Sequence, residues 1–204
     1  MGVLSMKRFV LLLFLLLSLT NVVSAAPGTG GNVTVKMAVV PYLDSSEQDK
    51  DYVPGIIDEG YTNYFGTLRG IVVVPAAEVN QALRAAGYDP SDVMLPDKSV
   101  MAAVAQATGA DYVVAMELAN LSAIRHESLF QYKISVNVKL EYHLYSRQQD
   151  TLMPFKTTGA NDNATIFGDV GFKAPIKASL QQAMKKANDK IIGIMAADTM
   201  SQGR

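Results

Sequence analysis

Asp44, Asp49, Asp51, Asp58 and Glu59 crowd into sixteen consecutive positions of a 204-residue chain, directly after an apolar run. Carboxylates this close can serve as a general acid and base or hold a polar ligand. The loop following a strand is also where open α/β sheets take ligands. Asp44, Asp49 and Asp51 are the residues a small polar ligand would meet there. The plainer reading is a hydrophilic loop leading into a helix whose N-terminus favours acids. His126 and His143 are the only histidines, and neither has a carboxylate at ligand or relay spacing, so both read as surface residues. The chain has no cysteine, which removes thiolate nucleophiles, cysteine-bound metals and the lipid-bearing cysteine that begins a mature bacterial lipoprotein. No Gly-x-Ser-x-Gly elbow, phosphate loop or His-Glu-x-x-His is present. Gly28-Thr29-Gly30-Gly31 is glycine-rich, but a phosphate cradle follows a strand and opens a helix, whereas these residues precede the first strand. The expectation is a protein without catalytic residues, metal or cofactor.

The N-terminus supplies an address. Lys7 and Arg8 precede the apolar run Phe9–Leu19, and small residues follow up to Ala26. This is the pattern of a secretory signal peptide. The apolar core is about half the ~20 residues a helix needs to cross a bilayer. Cleavage after Ala25 leaves Ala26 as the first mature residue; cleavage after Ala26 would put Pro27 beside the scissile bond. The domains then read as a signal peptide over 1–25, a flexible linker over 26–32 and a single α/β domain over 33–200. Losing Lys7 and Arg8 leaves 16 basic against 19 acidic residues, a net charge of −3. That balance gives no reason to expect nucleic acid as a partner. The expected location is the periplasm or the extracellular space.

The elements that must carry these residues follow from periodicity. Val33–Leu43 reads as a strand that is apolar on both faces at its centre, hence central in a sheet covered twice. Val53, Ile57, Tyr61, Tyr64, Phe65 and Leu68 recur at helical spacing, with Pro54 near the start, Gly70 after the end and Gly60 inside, where close packing against the sheet would compensate for glycine. Ile71–Val74 is a second buried strand. Val79, Ala82, Leu83 and Ala86 mark a helix stopped by Gly87, and Asp97 caps another that Gly109 stops. A third strand runs from Tyr112 toward Ile124, with a polar connection at Arg125–Ser128.

Phe130–Tyr145 then alternates almost without error. Phe130, Tyr132, Ile134, Val136, Val138, Leu140, Tyr142 and Leu144 lie on one side, and Gln131, Lys133, Asn137, Lys139, Glu141 and His143 are among those on the other. Sixteen strand residues extend to roughly 50 Å, about three times an ordinary strand. Arg147–Asp150 turns into Thr151–Lys156, where Pro154 requires an edge or a bulge. Asn161–Gly171 reads as a polar loop, and Pro175 opens a C-terminal helix carrying Ile176, Leu180, Ala183, Met184, Ala187, Ile191 and Met195 on one face. The fold expected is mixed α/β: a mixed sheet of about five strands with helices on its faces, a long antiparallel hairpin in the second half and a C-terminal helix.

Two proteins could own the alternating strand. In a barrel, Phe130, Tyr132 and Tyr142 would form aromatic girdles around Ile134–Leu140, and the chain would be a subunit of an outer-membrane secretion pore. In a sheet under a helix, Gln131, Lys133, Asn137, Lys139, Glu141 and His143 form a face for a partner. Glu117, Asn120 and Ser122 on one neighbour and Pro154 and Lys156 on the other interrupt any apolar band, which favours the sheet and no stable membrane span. Association with the outer membrane stays open, as does a periplasmic ligand-binding module built on the acidic loop.

The order of segments resembles the CsgG and TolB amino-terminal type of bacterial envelope domain. The resembling residues are Lys36-Met37-Ala38-Val39-Val40-Pro41-Tyr42, Ile71-Val72-Val73-Val74-Pro75, Ala107-Thr108-Gly109-Ala110-Asp111-Tyr112-Val113-Val114, the long alternating strand, Thr157-Thr158-Gly159 and Ala183-Met184-Lys185-Lys186-Ala187. The similarity spans nearly all of 33–197. It implies a non-enzymatic assembly or adaptor protein working through protein contacts. Other envelope proteins, or further copies of the chain in a homo-oligomer, are the expected partners. The chain lacks the lipid-bearing cysteine found in the curli secretion channel and the peptidoglycan synthase activators of that group.

Overall fold

In the computed structural model, which describes residues 34–47, 50–89, 94–127, 132–165 and 171–201, the apolar run after Thr34 forms strand β1 (Val35–Val39). Met37 and Ala38 are fully buried, one in each of two hydrophobic cores on opposite sides of the sheet. The strand is thus covered twice, as its sequence requires. It does not run through to Leu43. Pro41 has no N–H for a ladder, and pairing resumes only in β2 (Leu43–Asp44), so one expected strand becomes two and the sheet has six strands among the described residues. The Tyr61 hydroxyl sits at the interruption, within 2.8 Å of the Val40 carbonyl and 3.1 Å of the Val114 carbonyl.

The segment from Val53 to Leu68 departs from a single helix. It is a short α1 (Val53–Ile57), a π-helical stretch (Asp58–Thr62) and a 3-10 turn (Phe65–Thr67). The wide turn centres on Gly60, whose carbonyl accepts a 3.0 Å hydrogen bond from Asn188 and whose missing Cβ would collide with Met184. Glycine is compensated here by the C-terminal helix rather than by the sheet. β3 (Ile71–Val73), α2 (Ala76–Ala85) and α3 (Lys98–Thr108) follow. Asp97 caps α3 by accepting from the Val100 N–H at 3.0 Å, and Gly109 ends it at φ +67°.

Asp111, just past that stop, ties three segments together. Its Oδ2 accepts from the Lys36 N–H at 2.9 Å, its Oδ1 pairs with Arg147 at 2.9 Å, and its own N–H donates to the Lys36 carbonyl at 2.7 Å. The Gly-Ala-Asp-Tyr motif therefore serves as a backbone junction.

Three long strands complete the sheet: β4 (Tyr112–Glu127), β5 (Tyr132–Ser146) and β6 (Thr151–Thr165). The order is β3-β1-β4-β5-β6; β1 is parallel to β3 and β4, β2 is parallel to β4, and β4, β5 and β6 are mutually antiparallel. β4 continues through Arg125–Glu127, expected as a connection, and β6 through Asn161–Thr165, expected as a loop. Cross-strand pairing with β5 overrides the weak strand preference of these polar residues. Pro154 lies on the edge strand, as it must.

α4 (Lys173–Ser201) closes one side. At 1.5 Å per residue its 29 residues reach about 44 Å, nearly the span of the strands beneath. It buries Ile134, Val136, Val138, Leu140, Tyr142 and Leu144 of β5. Each aliphatic side chain so buried contributes about 1.5–3 kcal/mol relative to exposure. Tyr132 is 41% exposed where this cover ends. The helix approaches so closely that a Cβ on Gly159 would overlap the Ser179 carbonyl and crowd the Ala183 N–H.

Gly159→Ala is expected to destabilise the protein by about 3 kcal/mol or more, because backbone rather than a movable side chain occupies the space. Urea unfolding of the two proteins measures it; a loss below about 1 kcal/mol would show that α4 can withdraw from β6.

Candidate interaction face

On the side opposite α4, the near end of the sheet is covered by α2 and α3 over Val113, Ala115 and Tyr145, all buried. Past this cover the side chains become half-buried or exposed. A register shift between Leu118 and Asn120 decides which residues they are. Before it, Val113, Ala115 and Glu117 share this face. After it, Asn120, Ser122, Ile124 and His126 do, because one extra residue moves the parity of β4 by one. Without the shift Leu121 and Ala123 would face solvent and Asn120 and Ser122 the core. The shift keeps Leu121 and Ala123 on the α4 side with Val114, Met116 and Leu118, and it brings Ile124 to the open face.

The pairing lays the face out in rows across β4, β5 and β6: Glu117, Glu141, Lys156; Asn120, Lys139, Thr158; Ser122, Asn137, Ala160; Ile124, Ser135, Asp162; His126, Lys133, Ala164. Lys139 and Lys156 both reach Glu141, at 2.7 and 2.9 Å, and Lys133 reaches Asp162 at 2.9 Å. Hydrogen bonds from Lys139 and then Lys156 hold the Glu141 carboxyl below its usual range, and the same pairing raises the Lys139 ammonium. The result is a charge-balanced surface whose one exposed large apolar side chain among the described residues is Ile124, at 51%.

Of the residues expected to face a partner, Lys133, Asn137, Lys139 and Glu141 come together here. His143 lies at the covered end, where its Nδ1 is 2.8 Å from the Pro96 carbonyl; a carbonyl only accepts, so Nδ1 donates. Gln131 lies outside the described residues, as do Asp49, Ala25 and Ala26. Asn120, Ser122, Ile124, Thr158 and Asp162 belong to the face but were not expected there. Alternation in β5 signals its own face, whereas membership of β4 and β6 depends on pairing and on a bulge whose one trace in the sequence, the change of apolar parity from Met116 and Leu118 to Leu121 and Ala123, is blurred by Ile124.

The acidic loop takes another form. Asp44 Oδ1 accepts from the Ser46 N–H at 2.9 Å and the Ser46 hydroxyl at 2.6 Å, a local turn that ends β2. Asp51 is exposed. Among the described residues no group of three or more His, Asp or Glu is arranged to hold a metal. A cleft of about 370 Å³ lies beside Tyr88, Leu95 and Val100, and one of about 290 Å³ beside Leu68, Ile71 and Met195. Neither is lined by Asp44 or Asp51.

The buried carboxylate among the described residues is elsewhere. Asp198, 6% exposed near the end of α4, accepts from the Tyr112 hydroxyl at 2.7 Å, from Gln149 and from Ser146. Burial first, and this bond second, push the Tyr112 phenol far above its usual range. The group locks the helix end to β4 and to the β5–β6 turn.

Two outcomes follow from these contacts. Asp198→Ala leaves the three donors without their common acceptor and is expected to cost about 2–3 kcal/mol in urea unfolding; no measurable loss would remove Asp198 from the set of docking contacts. Glu141 has a folded-state pKa below its ordinary 4.5, so its contribution to stability is present above that value and is lost as pH falls through the lower, folded value. Melting temperature followed from pH 6 downward should drop less steeply for Glu141→Gln than for the parent, and identical slopes would contradict the pairing.

No family model matches the chain, and no curated protein matches it. Solved structures similar to it include hypothetical protein CT253 from Chlamydia trachomatis, 12% identical over 78% of this chain and 96% of that one, with a TM-score of 0.47. The C-terminal domain of LpoB from Escherichia coli is 18% identical over 66% and 87%, TM-score 0.42. Lipoprotein GNA1162 from Neisseria meningitidis is 14% identical over 80% and 99%, TM-score 0.40. With TM-scores below 0.5, these likenesses transfer no activity to the chain.

Proposed function

We propose that this chain is an exported, non-enzymatic envelope protein of the CsgG and TolB amino-terminal type that works as an assembly or adaptor module. The observation that carries the reading is the unequal treatment of the two sides of β4–β6. One side is sealed by α4, and the other is a polar surface ordered by cross-strand ion pairs and carrying small side chains at Ser122 and Ala160. Exposed ion pairs contribute little to stability, about 0–1 kcal/mol each. Two lysines on one glutamate therefore serve better as a patterned surface for recognition than as a structural fastening. The signal-peptide pattern supports export. The ordering of the segments supports the family type.

A pore subunit would need an apolar band facing lipid on neighbouring strands. Here the apolar side of β5 lies against α4, and the opposite side carries Lys133, Lys139, Glu141, Lys156 and Asp162. No helix among the described residues is long and apolar enough to cross a membrane.

The mature chain, tagged and expressed in a bacterial envelope, is expected in the detergent-free soluble fraction together with other envelope proteins. Lys139→Glu combined with Lys156→Glu should release those proteins without lowering the melting temperature by more than a few degrees. Recovery only from outer membranes, or unchanged co-purification by the double variant, would overturn the reading.

A further inference from the structure

The open face of β4–β6 reverses its charges about its middle. Five rows run from the end under α2 and α3 to the far end, and the third row, Ser122, Asn137 and Ala160, is uncharged. On β5, Glu141 stands two rows before it and Lys133 two rows after. On β4 the same two places hold Glu117 and His126. On β6 the signs are exchanged, with Lys156 two rows before and Asp162 one row after. Cations and anions balance, Lys133, Lys139 and Lys156 against Glu117, Glu141 and Asp162.

Two-fold symmetry makes use of such a reversal, because an isologous contact sets residue i against j and j against i. Two copies of this face can meet about an axis along the strands or about one across them. Along the strands, each row meets itself and β5 lies over β5, so Glu141 opposes Glu141 and Lys139 opposes Lys139. Like charges placed in this way repel. Across the strands, each strand meets its own copy running the other way, and the row order is inverted. The Ser122 row then lies on the axis, Glu141 opposes the second copy's Lys133, Glu117 opposes His126, and Lys156 stands diagonal to Asp162. Facing sheets sit about 10 Å apart, a gap that a lysine and a carboxylate side chain span together. Ile124, 51% exposed, comes over Asn120 of the second copy beside the axis.

We propose that the partner covering this face is a second copy of the chain, docked with its strands antiparallel about a two-fold axis at Ser122, Asn137 and Ala160. The proposal rests on the reading of β4–β6 as an interaction surface and names what occupies it. Charge complementarity sets the orientation, and area sets the strength. Three strands over residues 133–141 of β5 and their neighbours make a strip of roughly 14 Å by 30 Å, about 400 Å². That is about half the ~800 Å² per partner of a standard stable interface. The pairing is therefore weak: a dilute chain keeps the face open, and copies pair where they are crowded.

Sedimentation velocity of the mature chain from about 5 μM to about 1 mM tests this, with monomer expected at the lower end and dimer at the upper. Glu141→Lys and Lys133→Glu each set like charges against one another at both ends of the interface, and each alone should weaken pairing about tenfold or more. An equimolar mixture of the two variants restores opposite charges at both ends and should pair as the parent does. Lys156→Glu and Asp162→Lys form a second such set on β6 if either of the first variants misfolds. A parent that stays monomeric at about 1 mM, single variants that pair like the parent, or a mixture no better than its components would each overturn the proposal. The two readings fail separately. A monomeric parent whose Lys139→Glu, Lys156→Glu variant still sheds its co-purifying envelope proteins would remove the second copy and leave the interaction face standing.

Discussion

The backbone of α4 meets the backbone of β6 at Gly159 with no side chain between them, and the arrangement of the second half of the molecule depends on that approach. A helix held this close presents Ile176, Leu180, Ala183, Met184, Ala187 and Ile191 to the sheet as a buried stripe. The alternating side of β5 then has one apolar surface to meet. Gly60 allows a second close contact further along the same helix, beneath Met184 and Asn188, and Asp198 fastens the end. Two glycines and a buried carboxylate thus fix the height, rotation and end point of α4.

Sealing one side leaves the other to solvent or to a partner. α2 and α3 are short and cover only the root of the long strands, so most of their length is clothed by a single helix on a single side. A sheet in this condition must be polar on its bare face along every strand at once, and the register shift in β4 brings that about. Its effect is to align Asn120, Ser122 and His126 with Lys139, Asn137 and Lys133, giving a polar surface interrupted by Ile124 where an unshifted strand would have exposed Leu121.

Much of this was legible in the residues. The double burial of β1, the strand, helix, strand, helix succession, the Asp97 cap, the Gly109 stop, the edge position of Pro154 and the alternation of β5 all follow from local patterns that tertiary contacts reinforce. What was not legible depends on partners distant in sequence. Asn161-Asp162-Asn163 has turn chemistry, yet becomes strand because β5 offers Val136, Ser135 and Ile134 beside it. Gly60 looks like a helix defect until Met184, over a hundred residues later, occupies the space. The acidic loop drew attention by composition alone, while the carboxylate that is buried and multiply bonded, Asp198, stands isolated in an alanine-rich helix and carried no signal.

The central claim is that the β4–β6 face opposite α4 is bare in the isolated chain and covered in its working state. Amine labelling with acetic anhydride, compared between the purified mature protein and intact cells, tests this most directly. Lys139 and Lys156 should label readily in the purified protein and be protected in cells, while Lys98 and Lys185, on other surfaces, label alike in both. Equal labelling of all four lysines in the two settings would contradict the account.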